Sequence, residues 1–389
     1  MRRGGRRAPD AGPAARYPWS VPRDLPLDAA TGPAWDDDPL WSSPWALDGD
    51  TTCDTCVVGL GGSGLVAVHA LLDAGVDVLG LDMTDVGAGA AGRNGGLLLA
   101  GIAHFHHDAI RRLGHEAAHR WYADTLAELD RVFATYPETT RRTGSLRIAA
   151  DDAELVDCRA HLAALRRDGF PGEWYEGPEG VGLLLPSDGV MQPLARVRQM
   201  ARQAITRGAR LHARTAVYAI RGGRVVTEGG TVHARTVIVA VDGGLERLLP
   251  ELQAEVRTAR LQMCATAPAR DVRLPRPVYR RFGYDYVQQR DDGALLLGGF
   301  RDRCLDDEWT HDDHPTEAVQ GHLEGWLRAG LGCSAPVTHR WAARVAYTES
   351  GAPVCRVVRP GVFAIGAYSG TGNVVGALCA RRAVEWALR

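Results

Sequence analysis

Between Cys56 and Asp82 the chain reads CVVGLGGSGLVAVHALLDAGVDVLGLD, apolar enough for a membrane span yet interrupted by glycines. Of the 25 residues from Val57 to Leu81, only His69, Asp73 and Asp77 can carry charge. A spanning helix would pay for Asp73 and Asp77 at mid-bilayer, whereas three shorter pieces accommodate every residue. CVVG is a β-branched run suited to a buried parallel strand. GSGLVAVHALLDAG places Leu65, His69 and Leu72 at helical spacing and stops at Gly75. VDVLGLD is a second strand. The segment predicts strand, helix and strand, and so an α/β fold.

The glycines then take distinct roles. Gly59, Gly61 and Gly64 form G-x-G-x-x-G, with Gly62 and Ser63 completing the turn between strand and helix. Gly59 permits the tight turn, Gly61 lets backbone approach a diphosphate, and Gly64 lets the helix close on the strand. The helix N-terminus offers free N–H groups and a positive dipole end to the phosphates. Asp82 stands 18 residues beyond Gly64, with Met83 after it, where a carboxylate can accept the hydroxyls of an adenosine ribose. These residues predict a dinucleotide site.

Composition narrows the chemistry. All 45 basic residues are arginine, so no lysine can form a Schiff base or serve a Walker-type phosphate loop. A formal net charge of −2 supplies no field for nucleic acid or an anionic membrane. The eight cysteines follow no framework spacing, which predicts thiols in a cytoplasmic protein. Cys53 and Cys56 form C-x-x-C without a second pair, and read as small residues entering a strand. Residues 1–50 are an N-terminal extension, predicted to be partly disordered and to lack a secretory h-region. Trp35, Trp41 and Trp45 predict that its second half packs on the body.

After the second strand comes GAGAAGRNGG, Gly87 to Gly96, with five glycines and no strand former. An NAD domain would continue into another helix and strand. A loop so rich in glycine suits close backbone contact with a second, bulky part of a cofactor. CDTCVVGLGGSGL followed by DVGAGAAGRNGG resembles the FAD-dependent D-amino-acid oxidase, glycine oxidase and sarcosine oxidase family, closest to its γ-glutamylputrescine oxidase branch. The resemblance runs from about residue 45 to the end. It implies a non-covalent FAD, contacted by Gly89, Ala90, Ala91, Arg93, Asn94, Gly95 and Gly96. A serine in the family's loop is Ala91 here. The family implies backbone contacts to the adenine side at Val217 and a further contact at Ala240. The C-terminal GVFAIGAYSGTGNVVG implies contacts at Gly366, Tyr368, Gly370, Thr371, Gly372 and Asn373. This last loop also opens a helix, whose N-terminus would stabilise the negative charge of a reduced flavin.

The candidate substrate residues come from two later segments. RRFGYDYVQQRDDGALLLGGF predicts a hairpin turning at RDDG, with Tyr284 and Tyr286 on one sheet face. The family builds a wall over the flavin from this strand, which makes Tyr286 the preferred substrate contact. In HRWAARVAYTES, Trp341 resembles a tryptophan leading back to the flavin and reads equally as structural or substrate-lining. Relatives that oxidise amino acids carry near here an arginine clamping the substrate carboxylate; the position falls on Arg344 or, one residue on, on Val345. His104, His106 and His107 read as a loop beside the substrate cavity, without metal-ligand spacing. Covalent relatives attach flavin at positions resembling Val345 and Asn94, and neither residue here can do so. Where sarcosine oxidases carry a lysine above the flavin, this chain has Leu296, leaving oxidase and dehydrogenase both open.

The expected fold class is α/β, a Rossmann-like FAD-binding domain with an interleaved α+β substrate domain built on an antiparallel sheet. The FAD domain is expected from 51–103, 188–248 and 343–389, and the substrate domain from 104–187 and 249–342, with a helix over 151–170. The expected reaction is oxidation of a C–N bond in a small amine or amino acid by hydride transfer to flavin N5. The resulting imine hydrolyses, and O2 or another acceptor takes the electrons. A dehydrogenase, a non-catalytic flavin-binding protein and, last, an NAD enzyme are the rival readings.

Overall fold

A computed structural model describes residues 32–389. The predicted strand–helix–strand unit is present as β1 (Thr51–Val58), α1 (Gly62–Asp73) and β2 (Val78–Leu81). β1 lies between β2 and β12 (Thr231–Val239), and all three are parallel. β9 (Arg210–His212) extends the parallel sheet beyond β2, and β19 (Val362–Gly366) extends it beyond β12. Antiparallel strands finish it: β10 (Val217–Arg221) and β11 (Arg224–Thr227) on the start of β12, and β18 (Val354–Arg359) on β19. Val57 points into one core with α1, α6 (Pro193–Thr206) and α10 (Gly372–Ala387), while Cys56 and Val58 point into another beneath β10, β11 and α7 (Leu245–Leu248). Burial on both faces from Thr55 onward explains why the end of β1, Cys56 to Val58, reads as a continuous apolar run rather than an alternating one.

A second sheet runs β17 (Val337–Thr348), β13 (Val256–Pro268), β16 (Ala294–Gly299), β15 (Asp285–Gln289), β14 (Val278–Arg280), β5 (Ser145–Ile148), β7 (Gly180–Leu185) and β6 (Glu173–Gly177). Its neighbours are antiparallel except β14 and β5. Leu295 and Leu297 bury one face of β16 with α9 (Glu317–Gly325), and Leu296 turns the opposite way into an apolar cluster with Trp35, Met263 and Trp341. α8 (Leu305–Glu308) lies beside β13. α3 (His106–Leu113) packs on α5 (Asp152–Arg167), and α4 (His115–Thr135) packs on α3 and α10. The expected helix over 151–170 is α5, whose N-cap Asp151 accepts from Glu154 N. A small sheet of β3 (Leu97–Leu98), β8 (Gly189–Met191) and β4 (Thr140–Arg141) bridges the two halves, and α2 (Ala90–Arg93) is one turn in the glycine loop.

Three particulars differ from the sequence expectation. The expected division at residue 343 falls inside β17, which continues unbroken to Thr348 because it pairs with β13 along its length. Tyr284 ends a short turn before β15 rather than sharing its strand with Tyr286. Trp35 is 2% exposed and Trp41 donates to Asp85, but Trp45 is 87% exposed, so only two of the three tryptophans anchor the extension. The disorder expected within 1–50 falls largely on residues outside those described. No helix among the described residues is long and apolar enough to cross a membrane.

Candidate functional site

Two cavities meet where the sheets meet. The first, about 270 Å³, runs along the turn between β1 and α1 and is lined by Gly59, Gly61, Gly62, Ser63, Asp82 and Met83. Gly59 has φ +101°, and a Cβ there would lie 2.7 Å from Ala240 O. A Cβ on Gly64 would lie 1.8 Å from Gly59 O, so that glycine is required by packing and does not line the cavity. At Gly89 an added Cβ meets nothing within 4 Å, and at Gly62 its nearest neighbour is Arg196 Nη1 at 3.9 Å. The turn therefore presents bare backbone to open space. Gly61 caps α1 with no side-chain hydrogen bond, leaving N–H groups of the first turn for a ligand. Asp82 sits at the far end; its carboxylate accepts from Leu60 N and Thr84 N at 2.9 Å each, and burial raises its pKa against those two bonds.

The glycine loop and the C-terminal helix close the same space. Gly89, Ala90, Ala91, Arg93, Asn94, Ala240, Tyr368, Gly370, Gly372 and Asn373 all line it. Asn94 and Asn373 hold each other: Asn373 Nδ2 donates to Asn94 Oδ1 at 3.0 Å and to Leu97 O at 2.9 Å. Asn94 Nδ2 donates to Ala91 O, and its Oδ1 also accepts from Gly96 N. The two side chains thus set the loop's shape. Gly96, Gly366 and Val217 line neither cavity. An added Cβ would meet Met191 O at Gly96 and Val241 O at Gly366, at 2.4 and 2.5 Å, so both glycines serve close backbone packing, and Val217 packs against the core beneath β10 and β11.

The second cavity, about 410 Å³, shares Ala90, Arg93, Asn94, Val345, Gly370 and Asn373 with the first and is therefore continuous with it. Gly95 and Thr371 line it at the junction. Its outer wall is aromatic: Phe105, Tyr279, Phe282, Tyr284, Tyr286 and Tyr347. Tyr286 is wedged between glycines, since a Cβ on Gly95 or Gly298 would lie 2.6 or 2.3 Å from its ring. Burial raises the Tyr286 and Tyr279 phenols above their usual range and Tyr347 to about 12, so all three stay protonated. His104 is the one of the three candidate histidines in this wall; burial lowers its pKa, and its Nε2 lies 3.1 Å from Ser350 O. His106 and His107 instead face Asp168 and Asp157.

Arg344 and Trp341 both lie off the aromatic cavity, Trp341 in the structural role that is one of its two readings. Arg344 does not line the aromatic cavity; it lines the nucleotide cavity alone and its guanidinium reaches Asp313 at 3.6 Å, while Ala343 and Val345 line both cavities and Tyr347 lines the aromatic one. Strand alternation decides this, because adjacent residues face opposite ways. Trp341 lines neither cavity: it is 2% exposed, and its indole donates to Arg93 O at 2.7 Å, buttressing the glycine loop from behind.

Three residues that matter here carried little signal in the sequence. Arg196, on α6, is 2% exposed on the nucleotide cavity, and its Nε is buried without a partner. Burial lowers its pKa, and no carboxylate among the described residues lies within ion-pair distance. Asp242 follows β12 much as Asp82 follows β2. Its carboxylate accepts from Ala346 N at 3.0 Å and Tyr368 N at 3.2 Å, and burial raises its pKa to about 6. Arg301, after β16, lines the aromatic cavity at 8% exposure. The segment VIVAVDGG held a signal for Asp242, an acid ending a buried run, but isolated arginines among 45 basic residues gave none.

This arrangement fits FAD. An open glycine turn with free N–H groups and an unpaired buried guanidinium suits a diphosphate, Asp82 suits a ribose, and the junction of the cavities is walled by glycine backbone where a flat ring would need close approach.

Known proteins bear on the same site. A family model described as FAD dependent oxidoreductase (DAO) matches residues 54–386. A probable oxidoreductase OrdL of Rhizobium meliloti (strain 1021) is 29% identical over 370 residues, covering 88% of this chain and 84% of that protein. A gamma-glutamylputrescine oxidoreductase of Escherichia coli (strain K12) is 49% identical, over 53 residues only, covering 14% of this chain and 12% of that protein. Among solved structures, glycine oxidase from Geobacillus kaustophilus superposes with TM-score 0.71 at 19% identity, over 85% of this chain and 92% of its own. L-proline dehydrogenase from P. horikoshii gives TM-score 0.68 at 18% identity, over 86% and 92%. Both share the fold.

Proposed function

The chain belongs to the FAD-dependent oxidoreductase family, and on that premise we propose that it oxidises the C–N bond of an amine or amino acid to an imine, which water then hydrolyses. The observation that carries this reading is the continuity of the aromatic cavity with the nucleotide cavity at Asn94, Gly370 and Asn373. A substrate held among Tyr286, Tyr347 and Phe105 has its C–H at that junction. FAD, when bound, supplies the two-electron acceptor for the hydride and passes the electrons on. The protein's own part is to bind, orient and exclude water, which aromatic walls do without acid–base machinery. The carbon loses a hydride, the nitrogen a proton, and O2 accepts both as H2O2.

Gly59–Gly64, Arg196 and Asp82 hold the diphosphate and adenosine in this reading, and the loop 89–96 with 370–373 holds the ring. Attachment is non-covalent, because no cysteine lines either cavity and Val345 and Asn94 stand at the attachment positions. With eight free thiols among the described residues, we place the protein in the reducing cytoplasm. A dehydrogenase is favoured by one observation, that Leu296 is 0% exposed in an apolar cluster and leaves no cation at the position where sarcosine oxidases have lysine.

The test is anaerobic titration of the purified yellow protein with amino acids, N-methyl amino acids and polyamines. The expected outcome is bleaching by at least one class, then reoxidation in air with one H2O2 per substrate. Slow reoxidation in air with fast reoxidation by a quinone would select the dehydrogenase. A flavin that no amine bleaches overturns the reading.

A further inference from the structure

Residues 33–41 precede the stretch 54–386 that matches the family model, yet they reach the cofactor loop from behind. Asp36, Asp37 and Asp38 meet Arg198 at 2.7 Å, Arg290 at 3.0 Å and Arg202 at 2.5 Å, which ties the segment to α6 and to the turn after β15. Arg290 also donates to Ala34 O at 2.6 Å. Trp41 lies under the guanidinium groups of Arg198 and Arg202 and donates to Asp85 at 2.7 Å. Ion pairs at a surface each contribute little. The buried anchor is Trp35, 2% exposed, whose ring packs with Met263, Leu296 and Trp341 and whose indole donates to Asn94 O at 2.9 Å.

That bond belongs to a series. The carbonyls of Arg93, Asn94, Gly95 and Gly96 accept, in order, from Trp341 Nε1 at 2.7 Å, Trp35 Nε1 at 2.9 Å, Gln288 Nε2, and Met191 N at 2.8 Å. None of these four donor residues lines either cavity. A planar trans peptide points its N–H opposite to its C=O. An Asn94 carbonyl held from behind therefore turns the Gly95 N–H toward the cavity that Gly95 lines. A donor there favours a ring that gains negative charge on reduction. We propose that Trp35 is a positioning residue of the flavin site: through Asn94 O it fixes the Gly95 N–H, and the extension thereby raises the reduction potential of bound FAD. The inference rests on the FAD site and not on the proposed amine chemistry.

The experiment measures the midpoint potential of the FAD-loaded protein by equilibrium reduction with dithionite against a reference dye, which needs no amine. Trp35→Phe keeps a buried ring and loses the N–H. It should weaken reduced FAD about 10-fold more than oxidised FAD, the worth of one hydrogen bond. That ratio is a fall of about 30 mV in a two-electron potential. Trp41→Phe loses a bond of the same segment away from residues 93–96, and should lower Tm without moving the potential. If Trp35→Phe fails to fold or to hold FAD, Arg290→Ala takes its place; it keeps the indole, releases Ala34 O and Asp37, and should give a smaller fall in the same direction. A Trp35 that served packing alone would weaken both flavin forms equally. An unchanged or raised potential in Trp35→Phe, or in Arg290→Ala where that replaces it, overturns the proposal, as does an equal fall in Trp41→Phe. A flavin that no amine bleaches, with the potential lowered in Trp35→Phe, would remove the oxidation reading and keep the positioning role. Bleaching by amines with an unmoved potential would do the reverse.

Discussion

Arg196 fixes the energetics of cofactor exchange through one side chain. Its guanidinium lies beside Gly62 at 2% exposure with no acid to pair it, and an uncompensated buried charge costs several kcal/mol. A diphosphate would remove that cost when FAD binds. Arg196→Met should therefore weaken FAD by about 10- to 100-fold, the worth of a charge-assisted hydrogen bond. The same change should leave the apoprotein's Tm unchanged or raised, since a misplaced charge is gone. Titration of the apoprotein with FAD by fluorescence quenching, with a parallel melt, checks both; unchanged FAD affinity would refute the assignment. Tyr286 shows the complementary case, a side chain positioned by what its neighbours lack. Its ring occupies the space where Gly95 and Gly298 would carry Cβ atoms, so the glycines of the loop and of β16 serve an aromatic wall as well as a cofactor.

At the scale of elements, the crossings between the two sheets carry buried acids. Asp188 precedes β8, accepts from Ala100 N at 2.8 Å beyond β3 and from Ser145 Oγ at 2.6 Å on β5, and is 0% exposed. Burial raises its pKa from 3.8 to about 6, partly offset by those two hydrogen bonds. Because the folded state binds the proton more tightly than the unfolded chain, this stabilisation is complete below pH ~4 and is lost as pH rises through 6. The shift corresponds to about 3 kcal/mol. Asp188→Asn keeps both hydrogen bonds and removes the titration. Its Tm should match the parent's near pH 4 and exceed it increasingly up to pH 7.5, and parallel Tm profiles would refute the linkage. Elements were legible from sequence in unequal measure. β1, α1 and β2, and the hairpin of β15 and β16, announce themselves by period and turn chemistry, and Arg290 N does bond Ala294 O across the predicted RDDG turn. The end of β17 did not, because its length is set by pairing with β13, from Thr266 to Val256.

For the whole molecule, FAD would lie between a parallel sheet and an antiparallel one, along two continuous cavities of about 270 and 410 Å³. A ligand filling that seam acts as part of the core. FAD at 100 times its Kd should add about 2.7 kcal/mol, a Tm rise of several degrees, whereas riboflavin, lacking the diphosphate and adenosine, should add far less. Equal stabilisation by the two would place the affinity away from the β1–α1 turn. The sequence by itself determined the β1–α1 turn of one half of the seam, because a phosphate cradle is built from backbone within one contiguous run, Gly59 to Asp82, where spacing alone dictates geometry, whereas Arg196 was brought to it by the packing of α6. Only the tertiary structure decided the other half. Its wall gathers Phe105, Tyr286, Arg301 and Tyr347 from segments far apart in the chain, and along a strand a slip of one residue turns a side chain to the opposite face. That parity separates Arg344 from Val345 on β17.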